Sequence, residues 1–156
     1  MDDNALILIV VIAILIIMSA YFSATETAFS SLNKIKLKNL AVNGSKRAES
    51  TLNLAKKFDS ILSTILIGNN IVNIASASIA TIVFTKYYGD AGVTISTIVM
   101  TIVVLIFGEI SPKSLSKESP EKFAMFSTPI LKVMPIIFAP INYEFGLWKK
   151  TISKVI

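Results

Sequence analysis

The stretch Phe107-Gly108-Glu109-Ile110-Ser111-Pro112-Lys113 sets a carboxylate, a helix breaker and a lysine at the end of a long apolar run that begins near Val93. An ionisable group at membrane depth is expensive to hold and so points to function. The order of residues sharpens the point. Pro112 has no backbone N–H, so in a continuous α-helix the carbonyl four residues back, that of Gly108, loses its donor. Gly108 has no side chain to screen that oxygen, and Glu109 lies beside it. A bare carbonyl next to a carboxylate is what a hard cation binds. The competing reading is plainer: Glu109 marks the membrane edge and Pro112 only ends the helix.

Two further polar clusters sit in apolar surroundings. Ser19, Ser23, Glu26, Thr27 and Ser30 recur at helical spacing and fall on one face. Gly68-Asn69-Asn70-Ile71-Val72-Asn73 interrupts another apolar run, with Asn69 and Asn73 on one face and Ser76 a turn further on. Taken singly, a membrane serine back-bonds to its own helix and an asparagine joins helices. Taken together, three clusters of hydroxyl, amide, carbonyl and carboxylate oxygens on three apolar helices are expected to converge as a cation site.

The elements that would position these groups follow from hydropathy. Of 156 residues, 53% are hydrophobic and 16% charged, and the mean hydropathy of +0.69 puts the chain in the membrane class. There is no cysteine and no histidine, so a bound metal must see oxygen ligands, as Mg²⁺, Ca²⁺, Na⁺ or K⁺ do. The commonest general base is missing too, so an enzyme is not expected. The lysines do not interleave with aromatics, so no nucleic-acid surface is expected.

Spans are predicted over about 5–29, 60–85 and 93–110. Asp2 and Asp3 precede the first, which is wrong for the basic start of a signal peptide. Between the first two spans, Asn43-Gly44 reads as a helix stop and Ser45 as a cap, giving two short amphipathic helices at the cytoplasmic membrane surface. The segment 123–148 is apolar but carries Pro129, Pro135, Pro140 and a central Lys132. It reads as a broken juxtamembrane belt helix that does not cross. With three crossings, every Lys and Arg except Lys86 lies on one side, which places the amino end outside and the carboxyl end in the cytoplasm. The fold class expected is an all-α membrane protein, one transmembrane domain over 1–156.

The stretches Ser19–Ser31 (SAYFSATETAFSS), GNNIVN and GEISPKSL resemble the signatures of the CNNM/CorC family of membrane proteins linked to Mg²⁺ efflux. The resemblance covers essentially the whole chain, with three motifs in the right order. It implies three spanning helices and a helical belt assembled as a homodimer in the lipid bilayer of the cell membrane. It also implies a Mg²⁺ site made by Ser19, Ser23, Asn70, the Gly108 carbonyl and Glu109, with exchange against Na⁺. Glu26, Thr27, Asn69, Asn73, Pro112 and Lys113 lie within the same motifs. Cytosolic nucleotide-binding CBS domains usually follow in the family; this chain stops soon after Trp148, and is expected to be a piece of a longer protein. Three functions fit: a Mg²⁺ transporter, a Mg²⁺-sensing membrane regulator, and a membrane anchor whose polar residues only pack.

Overall fold

The computed structural model describes residues 3–137. Among them every regular element is a helix: α1 (Asp3–Ser31), α2 (Lys34–Val42), α3 (Lys46–Ala55), α4 (Phe58–Tyr88), α5 (Ala91–Val103), a π-helical segment (Val104–Ile110), α6 (Ser111–Glu118) and α7 (Pro120–Ile137). Three stretches are long and apolar enough to cross a membrane: Asn4–Ser31, Phe58–Tyr88 and Ala91–Glu118. The third joins α5, the π segment and α6 without a break. The chain is an all-α membrane protein with three spans, as the hydropathy indicated.

α1 is the hub, packing against α4, the π segment, α6 and α7. α4 and α5 form a hairpin through Gly89, whose φ of 58° is left-handed. The main apolar cluster lies at the lysine-rich end, where Phe22, Ala28 and Phe29 of α1 meet Ala55, Ile61, Ile65, Ala124 and Leu131. Elsewhere the spans show large apolar side chains outward, among them Ile7, Ile14, Ile74 and Ile102. That surface suits hydrocarbon, which supplies no hydrophobic force between helices. Close approach must come from small residues instead. A Cβ on Gly68 would meet the ring of Phe22 at 2.9 Å, so this glycine lets α1 seat its aromatic directly on the α4 backbone.

The polar connection folds as its caps dictate. Asn33 accepts from the N–H groups of Ile35 and Lys36, and Ser45 from that of Ala48. Gly44 takes φ 96° between the two helices. Over its described residues α7 is not among the stretches long and apolar enough to span, and it packs against α1, α3 and α4. It runs through Pro129 and Pro135 as one helix. Pro140, Trp148 and the terminal lysines lie outside the described residues.

α4 stays helical through GNNIVN, from Phe58 to Tyr88, so Asn69 and Asn73 share a face as expected. One local expectation is corrected. The third span does not end near Ile110, and Pro112 does not stop it: the proline sits in the first turn of α6 with helix on both sides. The π segment is what admits it. The Ser111 N–H bonds the Ile106 carbonyl, five residues back rather than four. In that register the carbonyl that Pro112 cannot serve moves one place back, from Gly108 to Phe107.

Candidate cation site

Ser19 and Ser23 lie a turn apart on the inner face of α1, both fully buried. The Ser19 hydroxyl donates to Asn69 Oδ1 at 2.8 Å, tying α1 to α4 in the middle of both spans. Asn73, one turn along α4, donates from Nδ2 to the same Oδ1 at 3.5 Å. A Cβ on Gly108 would stand 3.0 Å from Ser19 Oγ. Glycine is therefore needed for the π segment to press its backbone against Ser19. Three of the expected groups, one from each span, thus meet at Ser19.

Two buried oxygens there have no hydrogen-bond partner, Ser23 Oγ and Asn73 Oδ1. An unpaired buried polar atom costs about 1–3 kcal/mol, and native proteins carry few. Ser19 has a related property. A hydroxyl that gives its only proton to Asn69 presents nothing but lone pairs to its other side. The unpartnered oxygens of Ser23 and Asn73 leave lone pairs free for a cation, and the Ser23 O–H is free to turn away from it. The donor set is hard: hydroxyl, amide and carbonyl oxygens with Glu109, which is half-buried next to Gly108. Among the described residues no three acidic, histidine or cysteine side chains gather.

The remaining predicted residues divide. Glu26 and Lys113 form an ion pair at 3.7 Å across α1 and α6, one turn beyond Ser23. Each is partly exposed, so the pair adds at most about 1 kcal/mol, but it neutralises a lysine next to the site. Thr27 is buried on the Ser23 face, and Ser30 is exposed, its hydroxyl turned back to the Glu26 carbonyl. Asn70 is not brought to this cluster. It is exposed, about 100° round α4 from Asn69.

Several residues that hold the site escaped sequence reasoning. Thr25 meets Ser127 at 3.3 Å and Thr51 meets Thr128 at 2.7 Å, so buried hydroxyls join α1 and α3 to α7. Glu121 is 6% exposed at the start of α7. Its Oε1 accepts the Asn33 N–H at 3.0 Å and its Oε2 pairs with Lys36 at 3.0 Å. Burial opposes its charge, but the Asn33 and Lys36 bonds outweigh that and hold the carboxyl below its ordinary value. No spacing in the sequence links residues so far apart.

Residues 10–156 match the profile of a family described as "Cyclin M transmembrane N-terminal domain". A "UPF0053 protein" of Haemophilus influenzae is 40% identical over 149 residues, 96% of this chain and 36% of that protein. The "UPF0053 inner membrane protein YfjD" of Escherichia coli is 43% identical over 123 residues, 79% of this chain and 29% of its own length. The "Polyamine export protein" of Haemophilus influenzae is 26% identical over 150 residues, 88% of this chain and 35% of its own length. The chain spans about a third of the length of these curated relatives.

Proposed function

Because the chain belongs to the family of cyclin M transmembrane N-terminal domains, we propose that it is the ion-conducting membrane part of a Mg²⁺ exporter. The observation that carries this reading is the meeting of Ser19, Asn69 and Gly108 from three spans, with the unpartnered oxygens of Ser23 and Asn73 one turn away. The ligands are Ser19 Oγ, Ser23 Oγ, the Glu109 carboxylate and the Gly108 carbonyl, the last through the lone pair that a helix hydrogen bond leaves over. Asn69 takes the amide role expected of Asn70, since its Oδ1 already lies 2.8 Å from Ser19 Oγ. Mg²⁺ demands compact octahedral oxygen coordination and gives up water reluctantly. One carboxylate with neutral oxygens and retained waters fits an ion that must also leave again. Na⁺ is the exchanged ion of this reading, entering as Mg²⁺ departs. The amino end lies outside and the lysine-rich face in the cytoplasm of the cell membrane. A homodimer and following cytosolic CBS domains complete the machine.

The test is flux from proteoliposomes loaded with Mg²⁺, with and without a Na⁺ gradient. Glu109→Gln keeps the side chain's shape and removes its charge. It should weaken Mg²⁺ binding at least tenfold, or about 1.4 kcal/mol, and abolish flux in parallel. Tight Mg²⁺ binding with no flux in the native chain would make the protein a sensor. Neither binding nor flux would leave an anchor.

A second cargo is favoured by one relative's name, that of the polyamine exporter. A polyamine is a long multivalent cation and would use the same oxygens one ammonium at a time. Spermidine in place of Mg²⁺ in the same vesicles separates the two cargoes.

A further inference from the structure

A cavity of about 550 Å³ lies where α7 meets the junction of α3 and α4. It shares no residue with the cation site. The enclosed part of its lining is apolar: Ile61 and Leu131 are buried, and Leu54 and Pro135 are half-buried. The exposed part is basic. Lys56 caps the end of α3, Lys57 caps the start of α4, and Lys132 comes from α7.

These lysines are not spent on carboxylates. Among the described residues none of the three forms an ion pair, although Asp59 lines the same cavity. Lys132 donates one proton to Ser50 Oγ of α3 at 3.0 Å, which leaves two of its three free. Three lysines against one aspartate leave the cavity net positive, and ammonium groups gathered without an anion repel one another. The depth is also defined. The second span begins at Phe58, directly after Lys57, so the lysines stand at headgroup level with the apolar lining beneath them. Lys132 is otherwise out of place on α7, where Ile130, Leu131, Val133 and Met134 surround it in sequence.

We propose that this cavity binds an anionic phospholipid of the surrounding leaflet. Its phosphate lies among Lys56, Lys57 and Lys132, and its glycerol and first acyl carbons lie on Leu54, Ile61, Leu131 and Pro135. A soluble phosphate would meet the lysines and leave the apolar lining wet; a lipid covers both. The positive-inside rule assigns this lysine-rich face to the cytoplasmic leaflet, where anionic lipids concentrate. Asp59 supplies an acceptor for a headgroup hydroxyl, which phosphatidylglycerol carries. One lipid seated there joins α7 to α3 and to the first turn of α4. The inference stands whether or not the chain moves an ion.

The test counts the lipids that the purified, delipidated protein retains. Native mass spectrometry during titration with phosphatidylglycerol, or with phosphatidylcholine of the same acyl chains, should show at least tenfold tighter retention of the anionic lipid. Changing Lys56, Lys57 and Lys132 together to Gln should abolish that preference. Lys34, Lys38 and Lys46 are exposed on α2 and α3 outside the cavity. Changing those three to Gln removes the same charge and should leave the preference within twofold. Equal losses in the two triple variants would mean diffuse attraction to a basic surface and would overturn the proposal. So would native retention of both lipids alike. Displacement of the lipid by millimolar glycerol 3-phosphate would make this a soluble-phosphate site, against the assignment. If the cavity triple variant does not fold, Lys132→Gln alone should weaken retention several-fold and Lys132→Arg should keep it. Native retention by Lys132→Gln would remove the lysine from the headgroup site and the proposal with it. Cross-linking of Lys132→Cys between copies that hold no lipid would put a second copy over the cavity, which also overturns it.

Discussion

Ser23 makes the clearest test at the scale of one atom. Its hydroxyl is buried and unpaired in the chain alone. Ser23→Ala should therefore leave the melting temperature in the absence of Mg²⁺ unchanged or raised, since it removes a desolvated oxygen. The same change should lower Mg²⁺ affinity several-fold by calorimetry. A variant that melts lower and binds normally would make Ser23 a packing residue. The serine and glycine positions were legible in the sequence because a polar side chain on an apolar helix must meet something. The asparagine was not. Three amides within six residues differ only in rotation about α4, and which one meets Ser19 depends on how α1 crosses it. That crossing is set by Phe22 on Gly68, a contact between residues far apart in the chain.

At the scale of elements, Pro112 is tied to the π segment. Pro112→Ala supplies an N–H that either register can use, so the widened turn loses its cause. Thermal stability should rise by about 1–3 kcal/mol, as for a proline removed from a helix interior. Mg²⁺ affinity should fall as Gly108 moves off Ser19. Higher stability with unchanged affinity would show that the π turn is not needed to shape the site. The sequence announced the proline but not the register, because a π segment and an α-helix present the same apolar composition. Glu121 gives the second element-scale prediction. Its carboxyl is held below its ordinary value, so its stabilisation is complete above the usual carboxylate range and is lost as pH falls through the lowered value. The melting temperature should drop steeply below about pH 4. Glu121→Gln should flatten that drop and cost up to about 1 kcal/mol at neutral pH, because the Asn33 N–H keeps an amide oxygen as acceptor but loses the charge that strengthens the bond, and Lys36 is largely exposed.

At the scale of the molecule, three spans were readable from hydropathy and the lysine distribution alone, because the bilayer imposes both. The same distribution predicts sidedness. In right-side-out vesicles, a cysteine at Lys117 should be labelled by an impermeant reagent only after the membrane is opened, and one at Asp90 at once. The reverse pattern would invert the topology and with it the direction of export. What the sequence withheld is how the helices lean on one another, since hydrocarbon rewards no particular apolar contact. The buried hydroxyl pairs to α7 and the Glu121 bonds do that work at one end only.

That uneven packing has a mechanical consequence. From Asn4 to Met18, Ala5 alone is buried, whereas from Ser19 to Phe29 most of α1 is enclosed. One half of the helix is clamped and the other is held by lipid, so the molecule is stiff at one end and compliant at the other. A tilt of the compliant half disturbs few buried residues, Ala5 and the half-buried Leu15 among them, and its fulcrum is Ser19. A small swing there moves the Ser19 oxygen relative to the Gly108 backbone by fractions of an ångström, which is the scale on which Mg²⁺ coordination is gained or lost.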